Sequence, residues 1–301
     1  MQQTTHRIAM VRPAAFGYNE ETARNNFFQH KDTAKNHSLQ QLALKEFDAL
    51  VDLLRENEVE VTVLEDQAHP IKPDAIFPNN WFCTLKNELV LFPIYAPNRR
   101  AEKRPELIER IKSVTGIDKQ TDYSNYESKK KFLEGTGSMV LDRVNKLVYA
   151  CRSERTDPDL VKLFAKEHDF IPILFSATDE AGREIYHTNV MMNIGKQFAV
   201  VCLDAIRNTG EKQLLLNALQ QHRFEIIPIH LQQMKQFAGN MLQLSNKNGE
   251  DILVMSSRAF SALTNPQIAS LQNHTRIIHA DVSHIEQAAG GSVRCMMAEL
   301  F

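Results

Sequence analysis

Five times along the chain, a short polar or glycine-containing lead runs into an apolar strand, and in four of the five a turn and a second apolar strand follow directly. The copies are FPNNWFCTLKNELVLFPI, LEGTGSMVLDRVNKLVYAC, YHTNVMMNIGKQFAVVCL, FAGNMLQLSNKNGEDILVM and the closing GGSVRCMMAEL. With Asn80, Gly137, Asn189, Asn240 and Ser292 placed in register, the successive steps are 57, 52, 51 and 52 residues. A unit of that size cannot bury its apolar faces alone, so the copies must pack side by side.

The stretches between the hairpins have apolar residues at three- and four-residue intervals, which predicts helices. AEKRPELIERIKSVTG, DPDLVKLFAKEH and GEKQLLLNALQQH are three of them, and LQQLALKEFDALVDLLREN is a fourth. Further β-rich runs come after helices: EVTVLED, IPILFSA, FEIIPI and TRIIHAD. The unit is therefore β-β-α-β, and its first copy is split, with RIAMVRP opening it and GGSVRCMMAELF completing it from the other end of the sequence. Five such units closing on themselves give one ring-shaped α/β domain over residues 1–301. A doubly wound parallel sheet is the alternative, but tight hairpins do not belong in all-parallel α/β proteins.

Composition narrows the function. The 35 Lys and Arg nearly balance the 37 Asp and Glu, so no field for binding nucleic acid is expected. No long uncharged apolar run occurs, so neither a membrane span nor an export signal is expected. Cys83, Cys151, Cys202 and Cys295 are far apart, with no CxxC pair, which fits a reducing cytoplasm. The HADVSH stretch has two histidines, His279 and His284, but neither their spacing nor a third ligand suits zinc. No metal or other cofactor is expected.

In a ring of repeats, residues at equivalent positions meet near the axis. The leads supply Asn79 and Asn80, then Glu134 with Gly135 and Gly137, then His187 and Asn189, then Asn240, and last Cys295. Singly, such a cysteine is core packing, such a histidine caps a strand and such a glutamate sits in a turn. Their coincidence at matching repeat positions is what marks them as a catalytic set. Asn240, in AGNML, fits a tight backbone position rather than a catalytic one.

These segments resemble those of the guanidino-group-modifying enzymes. GGSVRCMMAEL resembles the cysteine segment of arginine deiminases, FLEGTGSMVLD the acidic-glycine segment of the superfamily, and YHTN its His-x-Asp motif. PDAIFPNNW and ACRSERTD resemble substrate-binding segments of dimethylarginine dimethylaminohydrolases, and the likeness is greatest to bacterial amidinotransferase-related proteins that include citrulline-utilisation hydrolases. The resemblance implies the pentein fold, a fivefold α/β propeller, and covalent chemistry at a carbon bonded to several nitrogens. It implies Cys295 as nucleophile, His187 as general acid/base and Glu134 as the carboxylate that orients substrate and histidine. It further implies Asp74 for the substrate's α-amino group and Arg155 for its α-carboxylate, with Arg99 or Arg100 as additional candidates. A thiolate is the attacking form, so the thiol needs either a lowered pKa or deprotonation on substrate binding. Strand alternation puts Arg294 on the face opposite Cys295, in a structural position.

The departures from that pattern bear on the substrate. Where deiminases and dimethylarginine hydrolases present aspartates to a guanidinium, this chain has Asn80 and Asn189, and Asn79 replaces a further acidic residue. It also has EGTGS in place of Glu-Gly-Gly-Asp. A buried guanidinium facing amides is poorly compensated, whereas a neutral ureido group has no charge to compensate. An asparagine offers both a donor and an acceptor to the urea. The expected substrate is thus a ureido amino acid, citrulline first, hydrolysed to ornithine, carbon dioxide and ammonia. Arginine hydrolysis, amidino transfer to an amine, and a non-catalytic binding pentein are the competing readings. The expected partner is a small amino acid, with a homodimer as an open alternative to the monomer.

Overall fold

The continuous apolar runs become the middle strands of five three-stranded sheets. A computed structural model of the protein describes residues 2–30 and 36–301. The chain opens with β1 (Arg7–Arg12), crosses through α1 (Asn36–Glu56) and returns in β2 (Glu60–Glu65), parallel to β1. The first complete unit is β3 (Phe82–Leu85), β4 (Glu88–Leu91), α2 (Pro105–Thr115) and β5 (Lys119–Asp122). The second is β6 (Val140–Asp142), β7 (Leu147–Cys151), α3 (Pro158–Glu167) and β8 (Ile171–Phe175). The third is β9 (Met192–Ile194), β10 (Phe198–Val201), α4 (Thr209–Gln221) and β11 (Glu225–Pro228). In the fourth, β12 (Leu242–Ser245) and β13 (Asp251–Ser256) are followed by a short helix, Ser257–Ala262, then α5 (Asn265–Gln272) and β14 (Arg276–Ala280).

The split unit closes as expected. β15 (Ala298–Glu299) pairs antiparallel with β1, matching Ile8 to Glu299 and Ala9 to Ala298. Each sheet then has the same order: a first strand antiparallel to a middle strand, which is parallel to the strand after the helix. The middle strands β4, β7 and β10 are buried at every residue, and β1 and β13 nearly so, as strands covered on both faces must be. This is the pentein architecture of five small mixed sheets.

Local chemistry sets the helices between them. Asp157 accepts from the backbone of Asp159 and Leu160 to start α3, with Pro158 in its first turn. Thr264 and Gln267 form a reciprocal cap at the start of α5. Gly116, at φ 72°, ends α2 in the left-handed conformation that glycine adopts without a steric penalty. The segment KQTD, which has no apolar pattern, nonetheless forms β5. It is an edge strand held by parallel pairing to β4, so its mostly exposed side chains left no periodic signal.

The apolar cores lie between sheets, and the polar leads are left at the axis. One core joins Ala9 and Ala298 to Trp81 and Ile111, and the next joins Val90 and Phe92 to Val148 and Phe164. A third runs from Tyr149 through Phe198 to Leu253, and the last joins Leu244 and Val254 to Ile8 and Phe47. The circuit is complete. The repeat register holds to within a residue in four units, with Asn80 and Asn240 two residues before β3 and β12 and Gly137 and Asn189 three before β6 and β9; in the last it is Cys295, not Ser292, that lies three residues before β15. The extra residues form a 3-10 turn, Val293–Met296, so Cys295 sits in a turn and not in a strand.

Candidate active site

Each lead folds as a short turn just before its first strand. Pro78–Asn80 packs on Gly135–Ser138 and on Val293–Met296, and Gly135–Ser138 packs on Thr188–Met191. Such close approach needs small residues. A Cβ on Gly137 would stand 2.5 Å from Asn80 Nδ2 and 2.9 Å from His187 Nδ1, so only glycine lets the two leads meet there.

His187 Nε2 lies 2.8 Å from Glu134 Oε2, and both side chains are buried. The other carboxylate oxygen of Glu134 accepts from the backbone of Tyr95 at 3.0 Å, and Arg155 Nη1 lies 3.6 Å from Oε2. Burial alone would raise the Glu134 carboxyl, but Arg155 and the hydrogen bond from His187 outweigh it and hold the group at about 2. Burial pushes the His187 imidazole down to about 4 against the pull of Glu134. The imidazole therefore stands neutral near pH 7 beside an ionised carboxylate. Burial also raises the Cys295 thiol, while the Ser292 backbone and the Asn240 side chain oppose the rise. Of the two routes to a thiolate, deprotonation on substrate binding is the one this environment suits.

A narrow cleft, with little more room than a single water needs, is lined by Cys295, His187, Asn80, Asp74, Arg99 and Arg155. Asp74 Oδ2 accepts from Asn19 at 2.7 Å and Thr22 at 3.2 Å, while its Oδ1 is buried with no partner among the described residues. Arg155 stacks over Tyr186 at 4.8 Å and donates through Nε to Asn25 Oδ1 at 2.9 Å. Arg99 forms a bidentate pair with Glu102, at 2.8 and 3.0 Å, and donates through Nη1 to Asn80 Oδ1 at 2.8 Å. The other side of that amide, Nδ2, donates to Asn79 Oδ1 at 3.0 Å. Asn79 Nδ2 and Asn189 Oδ1 are left buried without partners among the described residues. Neither Asn79 nor Asn189 lines this cleft, so of the three unpaired atoms only Asp74 Oδ1 belongs to a residue that a ligand there would meet.

Arg100 does not join the others. Its guanidinium bonds the carbonyls of Ile94 and Tyr95, at 3.1 and 3.2 Å, and pairs with Glu127 at 3.4 Å. Consecutive residues of one 3-10 turn point to different sides, so only Arg99 reaches the cleft. Arg294 also faces away from the thiol's partners, toward Glu299 at 3.0 Å and the Met297 carbonyl at 2.9 Å, although turn geometry and not strand alternation puts it there. The paired glycines before the cysteine serve packing. Gly290, at φ 66°, leaves room for the Asn26 amide, and Gly291 for the ring of Phe77.

Two parts of the site were not expected from sequence. The segment 13–30 roofs the cleft, with Asn19 and Thr22 on Asp74, Asn25 on Arg155, and Asn26 donating to the Ala289 carbonyl at 2.8 Å. Its only sequence signal is a cluster of asparagines beside paired phenylalanines, without periodicity. Asn240, read as a backbone spacer, instead puts Nδ2 3.3 Å from Cys295 Sγ. Its place in the repeat register was the available clue. Among the described residues no group of three His, Cys, Asp or Glu side chains is arranged to hold a metal ion. His279 stacks on Phe260 and His284 bonds Glu46. None of the helices in those residues is long and apolar enough to cross a membrane.

Comparison with known proteins places this geometry in context. The model of the family described as N,N dimethylarginine dimethylhydrolase, eukaryotic, matches residues 12–301. No curated protein sequence gives a significant match. Among solved structures, apo ArgZ, an arginine dihydrolase from the ornithine-ammonia cycle in Cyanobacteria, superposes with a TM-score of 0.77 at 16% identity, covering 98% of this chain and 40% of that one. The substrate-bound N-terminal domain of ArgZ gives 0.76 at 17% identity over 98% and 97% of the two chains. A dimethylarginine dimethylaminohydrolase variant carrying an adduct with S-methyl-L-thiocitrulline gives 0.65 at 16% identity over 98% and 99%. This chain thus spans about two-fifths of the apo ArgZ chain and nearly all of the ArgZ N-terminal domain. At such identities the likeness is one of fold.

Proposed function

The chain belongs to the family of eukaryotic N,N dimethylarginine dimethylhydrolases, and from that premise we propose that it hydrolyses a ureido amino acid, citrulline foremost, through a covalent intermediate on Cys295. The observation that carries the choice of substrate is the pairing of Asn80 with Arg99. A guanidinium already lies 2.8 Å from Asn80 Oδ1, and the flanking Asn79 is neutral as well. A substrate cation brought to that wall would meet a guanidinium already paired with Glu102 and the Asn79 and Asn80 amides in place of carboxylates, whereas a neutral urea meets donors and acceptors.

The residues divide the work. Asp74 Oδ1, lacking a partner, takes the α-ammonium group, and Arg155 takes the α-carboxylate. Neutral His187 accepts the thiol proton as Sγ bonds to the ureido carbon, whose C=O electron pair moves onto oxygen. The tetrahedral centre collapses, the bond to the ornithine nitrogen breaks, and His187 returns its proton to that nitrogen. A carbamoyl thioester remains. Water, deprotonated by His187, attacks the thioester carbon, Sγ leaves as thiolate and regains the proton, and carbamic acid separates into carbon dioxide and ammonia. Glu134 keeps the imidazole oriented and stabilises its charged form in both halves.

Arginine is the second reading. ArgZ, whose N-terminal domain shares this architecture along nearly its whole length, is an arginine dihydrolase, and Glu134 supplies one ionised carboxylate beside the histidine. Purified protein incubated with citrulline, with arginine, and with arginine plus an amine separates the readings by ornithine, ammonia and guanidino product. Ornithine from citrulline at a higher kcat/KM than from arginine is expected; ornithine only from arginine with an acceptor present would replace hydrolysis by amidino transfer. Cys295→Ser is expected to abolish turnover with unchanged thermal unfolding, and substantial residual turnover would remove Cys295 from its role.

A further inference from the structure

Two side-chain amides approach the sulfur of Cys295: Nδ2 of Asn240 at 3.3 Å and Nδ2 of Asn189 at 3.6 Å. They differ in how they are held. Asn240 Nδ2 also donates to the Asn189 carbonyl at 2.9 Å, and its Oδ1 accepts from the Arg294 backbone N–H at 3.1 Å. A backbone carbonyl only accepts and a backbone N–H only donates, so turning this amide over would lose both bonds. One Nδ2 proton goes to the carbonyl, and the other is left pointing at sulfur. Asn189, by contrast, has a buried Oδ1 without a partner among the described residues, so nothing there pins its orientation at that end.

We propose that Asn240 is a further catalytic residue, donating an N–H from a fixed amide to the sulfur of Cys295 and holding the thiolate in place during attack. The inference rests on Cys295 being the nucleophile. Around that sulfur the charged groups are already engaged. On its own turn Arg294 is paired with Glu299, and across the cleft His187 is bound to Glu134. On the remaining walls Arg155 serves Glu134 and Asn25, Arg99 serves Glu102, and Asp74 takes bonds from the roof. Tyr186, beside them, donates its hydroxyl to the Gly290 carbonyl at 2.7 Å. Neutral donors are thus the stabilisers that the buried sulfur has to hand, the Ser292 backbone from its own turn and the Asn240 amide from across the ring. Hydrogen bonds to an ionised group are stronger than neutral ones, so the Asn240 contact tightens as the thiol ionises.

The test is the pH dependence of Cys295 alkylation by iodoacetamide in the free protein, followed by mass spectrometry. Removing the donor in Asn240→Ala is expected to raise the midpoint by about one pH unit, with roughly tenfold slower alkylation near pH 7. Asn240→Asp, which puts a negative charge at the same place, is expected to raise it further. An unchanged midpoint in both variants, even with slower alkylation at every pH, assigns Asn240 a structural role and overturns the proposal. Should neither variant fold, wild-type protein labelled with ¹⁵N-asparagine decides. The Asn240 side-chain amide protons are expected to shift with the Cys295 titration and to stay still in Cys295→Ser, and their staying still in wild type overturns the proposal too. Turnover by Cys295→Ser tests the nucleophile separately, so the two failures do not look alike.

Discussion

His187 carries the pH signature of the site. Burial lowers its pKa to about 4, below the unfolded value, so between that point and the ordinary histidine range the unfolded chain binds the extra proton. Its neutral burial therefore favours the fold at neutral pH, and that contribution is lost as pH falls through this window. Activity follows the same group, since the imidazole must start neutral to take the thiol proton. The acid limb of kcat/KM is expected at about pH 4; a limb at about 6.5, the value of a free histidine, would show that His187 is not held neutral by burial. Asn80 carries the substrate signature. In Asn80→Asp the donor to Asn79 is lost and a carboxylate is placed against Arg99. Citrulline kcat/KM is expected to fall by about tenfold or more relative to that for arginine, and improved citrulline turnover in steady-state assays would refute the neutral-substrate argument. At this scale sequence was informative where a residue type departs from a pattern, as at Asn79, Asn80 and Asn189. It was uninformative where a neighbour is decided by direction, as with Arg99 and Arg100, which are adjacent in the chain and point to different places.

Among the elements, the hairpins and the four helices α1 to α4 were legible from their apolar residues, whereas the short helices Ser257–Ala262, α5 and Ser283–Ala289 were not read, nor was β5, whose side chains lie mostly in solvent. The roof formed by residues 13–30 was illegible for another reason. It is irregular backbone held by side-chain amides, and neither a moment nor a spacing marks such a segment. Its bonds nevertheless occupy the two groups expected to hold the substrate's ends, Asp74 and Arg155. Replacing Asn19 and Asn25 together by alanine removes the amide bonds to Asp74 and Arg155, keeping that of Thr22, while leaving the ring untouched. Alkylation of Cys295 is expected to quicken several-fold with its pH midpoint unchanged, because access and not acidity is altered. Equal rates in the variant and wild type would show that the roof does not limit access to the thiol.

For the whole molecule, closure of the ring depends on a short last strand, and a buried ionic cluster sits at that seam. Glu299 pairs with Arg294 at 3.0 Å and approaches Arg143, from β6's turn, at 3.7 Å, while Arg143 also donates to the Thr84 carbonyl at 3.1 Å. Removing the one carboxylate leaves two buried guanidinium groups short of a partner. Glu299→Ala is expected to lower unfolding stability by about 3–5 kcal/mol in urea titration, far more than a surface ion pair such as Lys112–Glu109 would. A loss under about 1 kcal/mol would mean that water replaces the pair. By itself the sequence determined the five-unit ring and its split first unit, because the apolar period and the repeat length admit few ways of burying those faces. It also determined which leads would meet. What only the tertiary structure decided is what each lead touches there: the turn that carries Cys295, the Arg99–Asn80 contact, the roof, and the amide of Asn240 at the sulfur. Those depend on directions of individual side chains across gaps of a few ångströms, and no periodicity in a chain encodes them.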